Sequence, residues 1–293
     1  MVALLDHCPG GTLIRLRLVT VLLTALATLS LQPPATASTG GTPDGEAHPN
    51  VGILFAYSDG VRFRCSGSLV SSTVVLTAGH CTDGVDGQVL ISFESVIAET
   101  AEEFDYPRAA DPDAGYTEAE LTAAGFASGT AHMHPAYSGF TDLKNWNDLG
   151  VVELGEPVTT IAPASIAPVG TLDGIANSKL SKTLFTAVGY GTEVRQPESG
   201  PQKAVAESFP LLRRFVDMPG QKLTSQIIQT NANPNDDKGT GGSCTGDSGG
   251  PLFLDGKIVA VTSYGNNDKC LGTGGYQRVD IAVAQNWLSG FGL

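Results

Sequence analysis

Gly242-Ser-Cys-Thr-Gly-Asp-Ser-Gly-Gly-Pro251 is the stretch on which the fold turns. Glycines on both sides of Ser248 place it on a tight bend, where its hydroxyl projects and backbone N–H groups converge beside it. A serine hydroxyl is a poor nucleophile at neutral pH. It reacts only when a base accepts its proton and donors hold the oxyanion that forms. The segment therefore requires a histidine and a carboxylate elsewhere in the chain.

Both lie upstream. Leu76-Thr-Ala-Gly-His-Cys81 presents His80 after the apolar run Val74-Val75-Leu76. Asn147-Asp-Leu-Gly-Val-Val-Glu-Leu154 presents Asp148 at the head of another. Asp142, followed by Leu143, is the rival carboxylate; Asp148 is preferred because an apolar strand follows it directly. Gly246 to Gly250 also fits G-x-S-x-G, but the α/β fold that uses this elbow places its acid and histidine after the serine. No histidine follows Ser248. With these motifs in the order His80, Asp148, Ser248, the chain from about Gly40 to its C-terminus resembles the trypsin/chymotrypsin family of serine endopeptidases.

The resemblance implies an all-β fold of two six-stranded antiparallel β-barrels with a C-terminal helix, the site lying in the cleft between them. On that reading residues 38–293 form one protease domain, with barrels over about 48–160 and 170–279 and the helix over about 280–289. Ser248 is then the nucleophile, His80 the base and Asp148 its orienting acid, with the N–H groups of Gly246 and Ser248 as oxyanion hole. Ser263, Tyr264 and Gly265 match the substrate-binding edge. Gly265 and Gly274 match the pocket walls and Gly242 its floor. The uncharged floor implies preference for an apolar or aromatic residue before the scissile bond, and nearby Asp268 reads as a surface side chain. Polypeptides are the implied substrates and protein protease inhibitors the implied partners; the chemistry calls for no cofactor and no metal. The family's activating N-terminus pairs with the acid before the nucleophile, here Asp247. Ser38-Thr-Gly-Gly41 stands at that place without a preceding basic residue, so signal cleavage itself is expected to free the ammonium of Ser38.

Residues read one by one agree. Short apolar segments, Val51–Tyr57, Cys65–Val70, Thr73–Thr77 and Gln88–Phe93, are broken by Gly, Pro and Asp, a pattern of sandwiches and barrels. Ser58-Asp-Gly60 reads as a turn, Thr117 to Ala124 as a short helix, and 161–174 as the link between the two halves. Ile281, Ala284 and Leu288 recur at helical spacing, with Asp280 as the expected N-cap. In this family such a helix packs on the second barrel.

Arg15 and Arg17 precede the apolar run Leu18–Leu31, and Ala35-Thr-Ala37 offers a small-x-small cleavage site, so residues 1–37 read as a secretory signal peptide. The run is too short to span a bilayer; a retained signal anchor is the alternative. The remainder carries 15 basic and 29 acidic side chains, a formal charge of −14. This excludes nucleic acid and anionic membrane as partners and suits a secreted, extracellular monomer. Cys8 leaves with the signal; Cys65, Cys81, Cys244 and Cys270 remain, an even count that suggests two disulfides. Three pairings are open by sequence, and the absence of C-x-x-C speaks against zinc. The family resemblance selects Cys65–Cys81 and Cys244–Cys270. Residues 94–130 are rich in Asp and Glu and read as a solvated loop, with a calcium site as the alternative. A binding protein that has lost catalysis on the same fold, and a secreted esterase of another fold, are the competing functions.

Overall fold

The strand β1, Val51–Ser58, is buried at seven of its eight positions. Its alternate side chains explain why. Leu54 and Ala56 point into one barrel with Leu69, Val75, Val89, Ile91, Val152 and Leu154. Val51, Ile53, Phe55 and Tyr57 belong to a second cluster that includes Val188, Phe253, Ile258 and Val261 from the other half of the chain. A strand that forms both the wall of one barrel and the seam between two must be apolar on both faces. Each buried Val, Leu, Ile or Phe among them contributes roughly 1.5–3 kcal/mol.

The computed structural model describes residues 41–195, 205–233, 237, 241–266 and 270–293. The expected signal peptide, Ser38 and Asp268 lie outside these residues. The first barrel closes in the order β1–β2–β3–β6–β5–β4, from Val51–Ser58, Val61–Ser71, Val74–Thr77, Gly150–Leu154, Ala127–Met133 and Asp86–Ser92 respectively. The second closes as β7–β8–β9–β12–β11–β10, from Leu184–Gly189, Arg214–Leu223, Ile227–Ala232, Gly272–Arg278, Lys257–Gly265 and Pro251–Leu254. All neighbouring pairs are antiparallel, and both barrels share one strand order. Two hairpins show their turn chemistry plainly. Asp59-Gly60 and Asp255-Gly256 both take positive φ, which two-residue connections require and Asp-Gly supplies.

Helix α1 spans Glu118–Ala123 and starts with a capping box between Thr117 and Glu120. Helix α2 spans Ala282–Leu288, and its N-cap is Ile281, without a side-chain hydrogen bond. Asp280 does not cap it as the sequence suggests. Its carboxylate instead meets Arg278 Nε at 2.8 Å and accepts the Leu172 N–H at 2.7 Å. Nor do the aromatic contacts of α2 run to the second barrel: Trp287 packs its ring on His134 of the first, 5.0 Å away.

Candidate active site

Antiparallel pairing of β3 with β6 sets Thr77 opposite Gly150. The residues just beyond, His80 on a single 3₁₀ turn and Asp148 before β6, therefore face each other. Gly79 permits the approach, since a Cβ there would sit 3.0 Å from Leu149 N and 3.1 Å from Asp148 Oδ1. Asp148 is fully buried. Its Oδ1 accepts the backbone N–H of His80 at 2.8 Å, and its Oδ2 lies 2.9 Å from His80 Nδ1. A carboxylate accepting from Nδ1–H selects the neutral tautomer in which Nε2 carries the lone pair. Ser263 Oγ donates to the same Oδ2 at 2.6 Å, and Trp146 Nε1 donates to Ser263 Oγ at 2.9 Å. Gln277 Oε1 accepts the Asp148 N–H at 3.1 Å. Asp142 is half-buried and accepts instead from Lys144 N–H and the Asn145 side chain.

The nucleophile loop is tied to the histidine loop through one strand. Ser66 N–H on β2 donates to Ser248 C=O at 2.8 Å. Its neighbour Cys65 is disulfide-bonded to Cys81, which follows His80. The loop's own hydrogen bonds fix which donors stay open. Thr245 C=O is held by Thr192 N–H at 2.7 Å, and Asp247 C=O by Gly250 N–H at 2.8 Å. Across a planar trans peptide the N–H points opposite to its carbonyl. The N–H groups of Gly246 and Ser248 are thereby turned away from the loop, and neither has a protein partner among the described residues. Gly246 takes φ +99°, open to glycine alone without strain.

Asp247 braces this geometry from within. Its Oδ1 accepts the Gly191 N–H and its Oδ2 the Cys244 N–H, both at 2.7 Å. The carboxylate lies flat against Gly189 and Gly191, where an added Cβ would come within 2.3 Å and 2.2 Å of its oxygens. Ser66 Oγ adds a further tie by donating to Gly246 C=O at 2.8 Å while accepting the Tyr190 N–H at 3.0 Å.

Beside Ser248 opens a cavity of about 280 Å³. It is bounded by Ser243–Thr245, Thr262–Gly265 and Cys270, the last bonded to Cys244. Among the described residues no charged side chain lines it. Ser263, Tyr264 and Gly265 stand where the sequence places them. Gly242 and Gly274 do not line the cavity: a Cβ on Gly242 would strike Ala232, and one on Gly274 would meet Tyr276 and Thr230. Ser243, which lines it, has its Oγ 3.0 Å from the OH of the buried Tyr276. Tyr264 lays its ring over Gly275, 5.5 Å from Trp146, and Phe140 stands 5.5 Å from His80.

Sequence reasoning missed Trp146, Gln277, Ser66, Gly189 and Gly191; of these only the Gly189-Tyr-Gly191 repeat carries a local signal. In the acidic 94–130 segment, Glu94, Glu103 and Glu120 accept hydrogen bonds from within the segment. Among the described residues the one set of metal-ligating atoms close enough to share an ion is Cys65, His80 and Cys81, whose sulfurs are joined to each other. No described helix is long and apolar enough to cross a membrane.

Comparison with known proteins bears on the family and the fold. The family model described as Trypsin matches residues 43–288. The chain is 30% identical to brachyurin of Leptuca pugilator over 213 residues, covering 71% of this chain and 78% of that protein. It is 24% identical to a trypsin of Phaedon cochleariae over 263 residues, covering 81% and 88%. Among solved structures, HL collagenase superimposes with a TM-score of 0.57 at 17% identity, over 88% of this chain and 96% of that one. Human heparin binding protein does so with a TM-score of 0.54 at 17% identity, over 86% and 95%.

Proposed function

Because the chain belongs to the trypsin family and is a serine-type endopeptidase, we propose that it cleaves polypeptides through Ser248, His80 and Asp148. Ser248 Oγ attacks the peptide carbonyl carbon and passes its proton to His80 Nε2. Asp148 stabilises the imidazolium and takes no proton. The N–H groups of Gly246 and Ser248 hold the oxyanion. The C–N bond then breaks, His80 protonates the leaving amine, and water repeats the sequence on the acyl-enzyme. No cofactor enters these steps. The observation that carries the reading is the buried Asp148, which accepts from His80 at both its backbone N–H and Nδ1. The cavity, whose described lining carries no charge, supports apolar or aromatic residues before the scissile bond.

The reading extends to export. Cleavage after Ala37 releases a secreted monomer whose new N-terminus, Ser38, pairs with Asp247, and protein inhibitors compete for the same cleft. The test combines a serine-directed covalent probe with a mixed peptide library. Labelling at Ser248, cleavage after apolar or aromatic residues, and loss of both in Ser248→Ala are expected. A folded protein that never labels overturns the catalytic reading; strict cutting after Arg or Lys overturns the pocket reading. Intact mass of the active secreted form checks that it begins at Ser38.

A further inference from the structure

The loop Gly246–Gly250 is gripped from two flanks. On one, Gly249 N–H donates to Thr262 C=O of β11, the strand that also bounds the side-chain cavity. On the other, Ser66 of β2 holds Ser248 and Gly246. A substrate whose acyl half occupies the cavity and lies along Ser263–Gly265 must carry its leaving half out across β2. Arg64 stands on that flank, next to Cys65. It is half-buried, and its Nη1 donates to Ser208 C=O at 3.1 Å. Its Nε would lie only 2.9 Å from a Cβ built on Gly246. Arg64 has no part in the acyl-transfer steps and does not line the cavity.

We propose that Arg64 is a specificity residue on the leaving-group side, selecting substrates with an acidic side chain at the first or second position after the scissile bond. This rests on the protease reading above. The guanidinium is always charged and offers five N–H donors in a rigid fork. The bond to Ser208 fixes its plane and leaves the other donors for a carboxylate. Burial pulls the guanidinium down from its ordinary value, and the nearby Asp247 carboxylate acts against that pull. A lysine at the same substrate position would meet like charge at short range. The chain as a whole carries a formal charge of −13. A fixed cation beside the oxyanion donors is thus a local exception to a field that repels acidic peptides.

The test compares kcat/KM for two peptides identical except for Glu or Lys at the positions after the scissile bond. The wild-type protein is expected to favour Glu by about tenfold, with the preference shrinking as salt rises. Arg64→Gln should bring the two peptides to near equality, and Arg64→Glu should reverse the order. A wild-type ratio near one overturns the proposal without any variant being needed. So does an Arg64→Gln protein that slows on both peptides equally and keeps its ratio, since Arg64 would then act only by balancing Asp247. A chain that cleaves neither peptide and resists the serine-directed probe overturns the protease reading instead.

Discussion

Gly191→Ala tests the bracing of the oxyanion loop most directly. The new methyl group would lie 2.2 Å from Asp247 Oδ2 and 2.5 Å from its Cγ. To reach ordinary contact the carboxylate must retreat by roughly 1 Å. That breaks one or both of its 2.7 Å bonds to Gly191 N–H and Cys244 N–H. Hydrogen bonds to a buried ionised group contribute about 1.5–3 kcal/mol each. Asp247 lies between Gly246 and Ser248, so its movement swings the N–H groups on either side. Loss of one oxyanion donor costs about 10²–10³ in turnover. The expected result is a fall of that size in kcat with a much smaller change in KM, measured on a chromogenic peptide. Thermal unfolding should show a protein that still folds, destabilised by a few kcal/mol on the same hydrogen-bond scale. Gly290→Ala is the control, since a Cβ there meets nothing within 4 Å. Full activity in Gly191→Ala would refute the idea that Asp247 holds the loop in place.

Three further perturbations address other parts. Ser263→Ala removes the 2.6 Å donor from Asp148 Oδ2 while keeping the substrate-binding backbone; kcat should fall about tenfold with KM little changed, as steady-state kinetics would show. Replacing both Cys65 and Cys81 by Ser opens a loop with a sequence separation of 16; chemical denaturation should register a loss of about 3 kcal/mol. Asp44 is buried and meets Arg213 Nε at 2.8 Å and His48 Nδ1 at 2.5 Å. Burial alone would raise its carboxyl, but the bonds from His48 and Arg213 outweigh this and hold it below the ordinary value of 3.8. A depressed folded value means the stabilisation is complete above the unfolded value and lost as pH falls through the folded one. Asp44→Asn should therefore cost about 3 kcal/mol at neutral pH, and its stability curve should converge on that of the wild type below about pH 4.

What was legible in the sequence is what local chemistry decides. The glycines around Ser248 mark a bend whose φ values only glycine tolerates well, and Asp59-Gly60 marks a hairpin for the same reason. Asp148 was separable from Asp142 because a buried strand must follow one and not the other. What stayed hidden depends on partners far along the chain. Asp280 looks like a helix cap until Arg278 and the Leu172 N–H, 108 residues away, claim its carboxylate. The tie from Trp146 through Ser263 to Asp148 joins residues 117 and 115 apart. Gly242 and Gly274 matched pocket positions through the family resemblance, but which way a glycine opens is set by the side chains behind it, here Ala232 and Tyr276.

The two disulfides tether both halves of the reactive centre, one behind the imidazole and one along the wall of the side-chain cavity. A thiol-rich cytosol would keep all four sulfurs apart. The polypeptide would then lack both clamps. Crossing into an oxidising milieu would close them. The chemistry of sulfur thus ties both clamps to the redox state of the surroundings.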